Sequence, residues 1–329
     1  MRPFLPEERL GSLLALLGHW GEVYGPVTTG DGVTAFRPVS DPGQLRLEYR
    51  RTLIPPKRFL LPPRETILTY SPDAGYQPLD TAQPALVLFG LHPCDLQGIA
   101  YLDRVFLEGV VDTSYRRNRQ ALTIIGLSCE PDEFCFCGAA GADLPAGCDL
   151  FLQRTPAGFF VTAGTMKGEE ICDRSAQLFT LRQPAGTTPW HHPLADAICR
   201  GCAAGETFPD NPLWDRFAER CLGCGACSAC CPTCYCYDVL EQGGLDGQAA
   251  ERLREWDNCL FKSHGEVAGG VNFRRSRRER LQYRFLHKYY GFGALRGVIS
   301  CVGCGRCRAV CPVEIDLAAL FEGEDHDRQ

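Results

Sequence analysis

Two segments of this 329-residue chain repeat one cysteine spacing, and that spacing leaves few folds open. Cys221, Cys224, Cys227 and Cys231 precede Pro232, and Cys301, Cys304, Cys307 and Cys311 precede Pro312. Both segments read C-x2-C-x2-C-x3-C-P, the bacterial ligand run for [4Fe–4S] clusters. Three thiolates at two-residue intervals wrap one cluster as the backbone turns, and the fourth, at the start of the next helix, points to the other cluster. The expected sets are therefore Cys221, Cys224, Cys227 and Cys311 on one cluster, and Cys301, Cys304, Cys307 and Cys231 on the other. Structural zinc uses two C-x2-C pairs, or cysteine with histidine. It needs neither the third cysteine nor the terminal C-P, and here the full pattern occurs twice.

Twenty cysteines would also suit a secreted disulfide scaffold, but such scaffolds are short, and these cysteines sit in cluster motifs. The length suffices for two domains with cores of their own. A hydrophobic fraction of 45%, a charged fraction of 22% and a net charge of -6 describe an ordinary globular chain with no global affinity for nucleic acid. Residues 10–17 form the one apolar stretch near the N-terminus. It follows Glu7, Glu8 and Arg9, and Gly11 and Ser12 interrupt it, as in a short amphipathic helix rather than a signal sequence. No apolar run approaches membrane-spanning length. The expected setting is a reducing cytoplasm, with any membrane contact made through a partner.

The first two-thirds reads as α/β. Residues 85–91 (ALVLFGL) and 121–127 (ALTIIGL) are nearly continuous apolar runs, the signature of strands buried on both faces. Residues 66–70 and 159–162 add further short strand-like runs. After Leu91 comes His92-Pro93-Cys94-Asp95, then a helical pattern through Leu96, Ile99, Leu102 and Phe106, with Asp95 the expected N-cap. Residues 182–189, rich in Pro, Gly and Thr, read as a loop. The last third is mostly helix-compatible, with helices expected over 212–220, 251–256 and 277–290. About seventy residues separate the two cysteine motifs, more than a compact ferredoxin uses. The predicted fold is α+β: an N-terminal α/β domain with a mainly parallel sheet over residues 1–205, and a C-terminal α-helical dicluster ferredoxin domain over 206–329.

The N-terminal domain carries its own thiols. Cys94 follows one expected parallel strand and Cys129 another, with Cys135 and Cys137 close behind (SCEPDEFCFCG, 128–138). Loops at the carboxyl ends of parallel strands converge, and ligands bind along that edge. A third iron–sulfur cluster on Cys94, Cys129, Cys135 and Cys137, with Asp95 a substitute ligand, is one reading. Buried free thiols are the other. Cys234, Cys236 and Cys259 read as packing around the clusters or as a small additional site, and Cys199 with Cys202 as a structural or incidental pair.

Residues 272–296 hold Arg274, Arg275, Arg277, Arg278, Arg280, Arg284, Lys288 and Arg296. Interleaved Phe and Tyr make a nucleic-acid surface conceivable. However, Leu281, Phe285 and Tyr289 recur at four-residue spacing, which marks one inward helix face. Cations beside a cluster also offset its negative charge. No dinucleotide fingerprint follows a strand and no P-loop occurs. His191 and His192 lie in a Pro-rich loop without a partner, and Glu130, Asp132 and Glu133 read as a solvated run. No nucleophile–base pair emerges.

Several stretches resemble a family of iron–sulfur subunits, comprising the beta subunits of cytoplasmic [NiFe] hydrogenases (sulfhydrogenases) and the equivalent iron–sulfur subunits of anaerobic sulfite reductases. They are HPCDLQGI (92–99), CFCG (135–138), CCPTCYC (230–236), WDNCLF (256–261), GGVNFR (269–274), RFLHKYYGF (284–292) and CVGCGRCRAVCP (301–312). The resemblance implies an electron-transfer subunit carrying two [4Fe–4S] clusters, with a third left open. It would join a flavin/NAD(P)-binding subunit to a hydrogenase or reductase subunit in a hetero-oligomer. It also implies the eight cysteine ligands, gives weight to the four N-terminal ones, and marks Arg274 and Arg306 as candidate cofactor contacts. Two rival readings stand beside it: a redox enzyme subunit with its own N-terminal pocket, and an iron–sulfur sensory or nucleic-acid-binding protein.

Overall fold

In the computed structural model, residues 1–79, 83–138, 140, 147–184, 211–245, 247–291, 293–317 and 319–322 are described. The first part of the chain runs β1 (Arg2–Pro6), α1 (Leu10–Leu17), β2 (Glu22–Thr28), β3 (Thr34–Pro38), β4 (Arg64–Ser71), β5 (Gly75–Pro78), β6 (Leu86–Leu91), α2 (Pro93–Leu107), α3 (Thr113–Gln120), β7 (Leu122–Leu127), β8 (Leu150–Thr155), β9 (Gly158–Ala163), α4 (Met166–Arg174) and β10 (Thr180–Arg182). The second part runs α5 (Leu213–Arg220), α6 (Ala226–Ala229), β11 (Tyr237–Gly243), β12 (Ala250–Trp256), β13 (Glu266–Val267), β14 (Val271–Asn272), α7 (Arg277–Tyr289) and α8 (Arg306–Ala309).

The two continuous apolar runs become the neighbouring central strands β6 and β7. They lie in an eight-stranded sheet of order β10-β1-β9-β8-β7-β6-β2-β3. Strands β2, β6, β7 and β8 are parallel, and the outer pairings are antiparallel. Alternation along β6 explains the unbroken hydrophobicity. Val87 and Phe89 pack on one face with Leu13 and Leu17 of α1. Leu88 and Leu91 pack on the other with Leu96, Ile99 and Leu102 of α2. Each face needs its own cover, so no position along the strand is free to be polar.

The expected helix over 251–256 is instead strand β12. Its sequence, ERLREW, suits a helix by propensity. Tertiary pairing overrides it: β12 lies between β11 and β4 in an antiparallel sheet of order β11-β12-β4-β5. Its charges form cross-strand pairs, Arg254 with Glu65, Arg252 with Glu241, and Arg64 with Glu255. The segment between the cysteine motifs is therefore a hairpin plus the helix α7, and its hairpin completes a sheet begun by β4 and β5. Residue 205, the expected boundary, lies outside the described residues, as do His191, His192, Cys199, Cys202 and most of the 182–189 loop.

Helix α2 starts one turn earlier than Asp95 implied. His92 occupies the N-cap with extended φ/ψ of -74° and 156°, Pro93 fills the first turn, and Asp95 lies inside the helix, fully buried. A C-terminal core forms around Trp214 and Phe217 of α5 and around Leu281, Phe285 and Tyr289 of α7, the inward face predicted from their spacing. Among the described residues, no helix is long and apolar enough to cross a membrane.

Candidate metal centres

The two motifs fold alike. Gly223 and Gly225 (φ 67° and 75°) and Gly303 and Gly305 (φ 61° and 69°) take left-handed conformations at matching positions. Each second glycine caps a one-turn helix, α6 or α8. This turn gathers the first three thiols of each motif toward one side.

The cysteines then separate into two cavities. One is lined by Cys221, Cys224, Cys227 and Cys311, with Cys307 and Arg284 on the wall facing its neighbour. The other is lined by Cys231, Cys301, Cys304 and Cys307, again with Arg284. The first cavity is thus lined by the three leading thiols of its own motif with Cys307 and Cys311 of the other, and the second by the three leading thiols of its motif with Cys231. Backbone N–H groups already aim at two of the sulfurs, from Gly223 to Cys221 Sγ and from Ile315 to Cys311 Sγ, each at 3.3 Å. Among the described residues, no group of three or more His, Cys, Asp or Glu side chains is arranged to hold a single metal ion.

The chemistry of these walls fits an anionic group. Arg284 and Lys288 of α7 and Lys57 are all buried, and none forms a carboxylate ion pair among the described residues. Arg284 donates to Ser228 Oγ at 2.7 Å, to the Cys227 carbonyl at 2.7 Å and to Cys234 Sγ at 3.2 Å, while its buried Nε has no hydrogen-bond partner. Lys288 donates to Thr233 Oγ1 at 2.7 Å. Lys57 donates to the Ser228 and Cys234 carbonyls and lies over the Trp256 ring. Buried cations without carboxylates are costly unless something negative shares the space. Thiolates around a cluster are that counter-charge. Burial pushes the Cys304 thiol up to about 11, with Arg306 opposing, so loading a thiophilic cluster releases protons.

The N-terminal thiols meet beside the second cavity. Cys94 starts α2 at the carboxyl end of β6, and Cys129 follows the carboxyl end of β7. Burial pushes the Cys129 thiol up to about 12, reinforced by neighbouring Cys137 and Cys135, and Cys94 is raised by burial with Cys304 and Cys129 among its neighbours. The 134–137 loop lies directly on the second motif. Phe136 N–H donates to the Gly303 carbonyl at 2.8 Å, and a Cβ at Gly303 would sit 2.5 Å from the Phe136 carbonyl oxygen. Arg51 bridges Asp132 and Cys135 Sγ. Asp95 is not available as a substitute ligand: its two carboxylate oxygens each pair with Arg306 at 2.9 Å.

Residues 220–315 match the family described as "4Fe-4S dicluster domain". Over 313 residues, 92% of each chain, the protein is 36% identical to the sulfhydrogenase 2 subunit beta of Pyrococcus furiosus. The chain belongs to the sulfhydrogenase beta-subunit family. Shorter stretches resemble other proteins. The F420-dependent formate dehydrogenase subunit beta of Methanocaldococcus jannaschii is 24% identical over 117 residues, 35% of this chain and 23% of the relative. Ferredoxin-3 of Rhodobacter capsulatus is 30% identical over 106 residues, 31% of this chain and 76% of the relative. No solved structure matches the chain.

In this beta-subunit-family chain the basic helix is turned inward. Beyond Arg284 and Lys288, Arg277 donates to the Cys221 carbonyl, Arg280 to the carbonyls of residues 274 and 275, and Arg278 pairs with Asp215. The structure brings Arg306, but not Arg274, to a cysteine set. Arg306 is 1% exposed and lies between Asp95, Thr52 and Cys304. Arg274 stacks on Tyr283 at 4.1 Å from the ring centroid. Sequence reasoning missed Lys57, which sits on a 3-10 turn (Pro56–Phe59) with no local motif to mark it.

Proposed function

We propose that this chain is the electron-transfer subunit of a cytoplasmic multi-subunit oxidoreductase. It relays electrons between a catalytic subunit of hydrogenase or sulfite-reductase type and a flavin/NAD(P)-binding subunit, and is itself non-catalytic. Sulfhydrogenase and formate dehydrogenase beta subunits are by name parts of larger assemblies, which supports a hetero-oligomer here.

The observation that carries this reading is the adjacency of the thiol sets. Cys307 and Arg284 line both cavities, so the two sites share a wall. Cys221, Cys224, Cys227 and Cys311 would hold one [4Fe–4S] cluster, and Cys231, Cys301, Cys304 and Cys307 the other. Cys94, Cys129, Cys135 and Cys137 would hold a third, next to Cys304. Each cluster, when bound, accepts and releases single electrons at nearly fixed geometry. The chain's residues hold the sulfurs, keep water away and supply positive charge: Arg284 and Lys288 at the paired cavities, Arg306 between the second cavity and the N-terminal set. The exposed Cys224 marks the end nearest solvent. The α/β domain over 1–205 would hold the third site and dock partners, and the dicluster domain over 206–329 the other two.

Iron and acid-labile sulfide per chain, measured on protein purified without oxygen, test this directly. About twelve of each supports three clusters and about eight supports two, with the N-terminal cysteines as thiols. A preparation with no reducible iron–sulfur signal defeats the proposal.

A further inference from the structure

Cys224, the exposed thiol of the first set, is framed by exposed apolar side chains. Leu222 is 63% exposed and lines the first cavity with it. Phe261 is 39% exposed and lies on the same turn: a Cβ at Gly225 would sit 2.9 Å from its ring. The β13–β14 hairpin continues this edge. Asn272 Nδ2 donates to the Lys262 carbonyl at 2.7 Å, and Phe273 N–H donates to the Gly265 carbonyl at 3.0 Å. The hairpin adds exposed Val267, Val271 and Phe273. Exposed apolar residues scattered singly need no explanation, but these are gathered on segments tied to one cysteine turn.

The same segments are basic. Residues 256–282 hold six Lys and Arg against three Asp and Glu, a local +3 on a chain of net charge -6. Lys262, Arg275 and Arg277 are exposed. The Lys262 ammonium has no partner among the described residues. Arg277 donates to the Cys221 carbonyl at 2.8 Å, which fixes it beside the first set. Of the exposed acids, Glu279 is engaged in capping α7 at Ser276, which leaves Glu266. Apolar side chains within a charged rim are the anatomy of a protein interface, and the sign of the rim selects the partner.

We propose that this face docks an electron-transfer protein whose own one-electron group lies behind an acidic rim. Cys224 is where that group can come nearest the first cluster. One electron passes between the two, in either direction, with no bond made or broken. The inference rests on the cluster assignment proposed above and adds a docking face on the dicluster domain. Nucleic acid fits less well, because Leu222, Val267 and Val271 offer a phosphate backbone nothing to bind.

The test mixes the full-length, cluster-loaded chain with a reduced, strongly acidic plant-type [2Fe–2S] ferredoxin in an anaerobic stopped-flow instrument. The second-order rate constant should fall about tenfold or more as ionic strength rises from about 0.01 to 0.15 M and the Debye length shortens from about 30 to about 8 Å. Lys262→Glu combined with Arg275→Glu should give the low rate at both ionic strengths. Phe273→Ala should weaken saturation by the ferredoxin at both. Reduced sulfopropyl viologen, a small mediator, reports in parallel whether the clusters themselves have changed. Intact cluster signals with a wild-type rate indifferent to salt, or with a double variant as fast as wild type, overturn the docking face and leave the relay standing. So does tight binding of a DNA oligonucleotide without any salt-sensitive reaction with the ferredoxin. Absence of any cluster signal in the wild-type chain overturns the relay, and the docking face with it.

Discussion

The two cysteine motifs share a spacing, a pair of left-handed glycines and a one-turn helix, yet their surroundings differ. In the first motif Leu222 is 63% exposed and Cys224 is exposed. At the same positions of the second, Val302 is 6% exposed, and Cys304 lies beneath the N-terminal 134–137 loop with Arg306 sealed behind it. The same local sequence thus builds one site that meets solvent and one enclosed between layers of the molecule. The spacing dictates the turn, while distant segments of the chain decide how wet each site is. Since solvent exposure and hydrogen bonds to sulfur tune cluster potentials, the two sites should not be redox twins.

The largest expected effect comes from exchanging a crossed ligand. Cys311 belongs to the second motif but lines the first cavity. Cys311→Ser should cut iron and acid-labile sulfide by about four each per chain. The EPR signal it removes should be the one lost in Cys224→Ser. If it instead matches the signal lost in Cys304→Ser, the crossing is wrong and each motif holds its own cluster.

A glycine pair measures the difference in enclosure. Gly223 and Gly303 share a positive φ, so alanine at either should cost about 1–2 kcal/mol for the backbone conformation alone. At Gly223 a Cβ meets nothing nearer than 3.9 Å, whereas at Gly303 it meets backbone at 2.5 Å. Gly303→Ala should therefore destabilise the cluster-loaded chain by several kcal/mol, roughly 4 or more, and loosen the 134–137 loop. Anaerobic denaturant titration of both variants reads the gap, and equal losses would mean that the loop does not press on the second motif.

Much of this was legible before any coordinates. The repeated spacing marked both cysteine motifs, and the apolar runs marked β6 and β7, because each feature is local or periodic. What stayed hidden depended on partners far along the chain. Asp95 looked like a helix cap because nothing near it in sequence announces Arg306, 211 residues away. ERLREW looked helical because its strand neighbours, β4 and β11, decide its conformation. Lys57 carried no motif at all, although it lies on the Cys234 carbonyl. Cys94 and Cys129 follow the neighbouring parallel strands β6 and β7, where one general rule, that loops at the carboxyl edge of a parallel sheet converge, applies.

A shared cation offers a finer comparison. Arg284 lines both cavities, whereas Arg306 lines neither and is already paired with Asp95. Arg284→Gln keeps most of the stem and removes the charge. Both cluster potentials should fall, on the order of 100 mV at an effective dielectric near 20. Potentiometric EPR titration checks it. A shift confined to one cluster would mean that the guanidinium serves a single site despite lining both.

The smallest expected effect concerns acid. His287 lies one residue before Lys288 on α7, its ring 5.9 Å from Tyr283 in a stacked arrangement and its Nε2 3.3 Å from the Tyr235 hydroxyl. Burial, followed by the nearby Lys288 and Arg284 charges, lowers its pKa to about 4. The folded state therefore keeps this ring neutral while the unfolded chain protonates it near 6.5. The neutral ring's contribution is fully present above about pH 6.5 and is lost as pH falls toward 4, because the unfolded state binds the proton first. The loss should be roughly 2–3 kcal/mol across that window. His287→Gln should flatten this limb of the stability profile in anaerobic denaturant titrations at about pH 7, 6 and 5. An unchanged acid limb would place the sensitivity in the thiolates themselves, which must also take up protons as clusters are shed. In that case the enclosed second site, with its half-buried Cys304, would be the place to look for it.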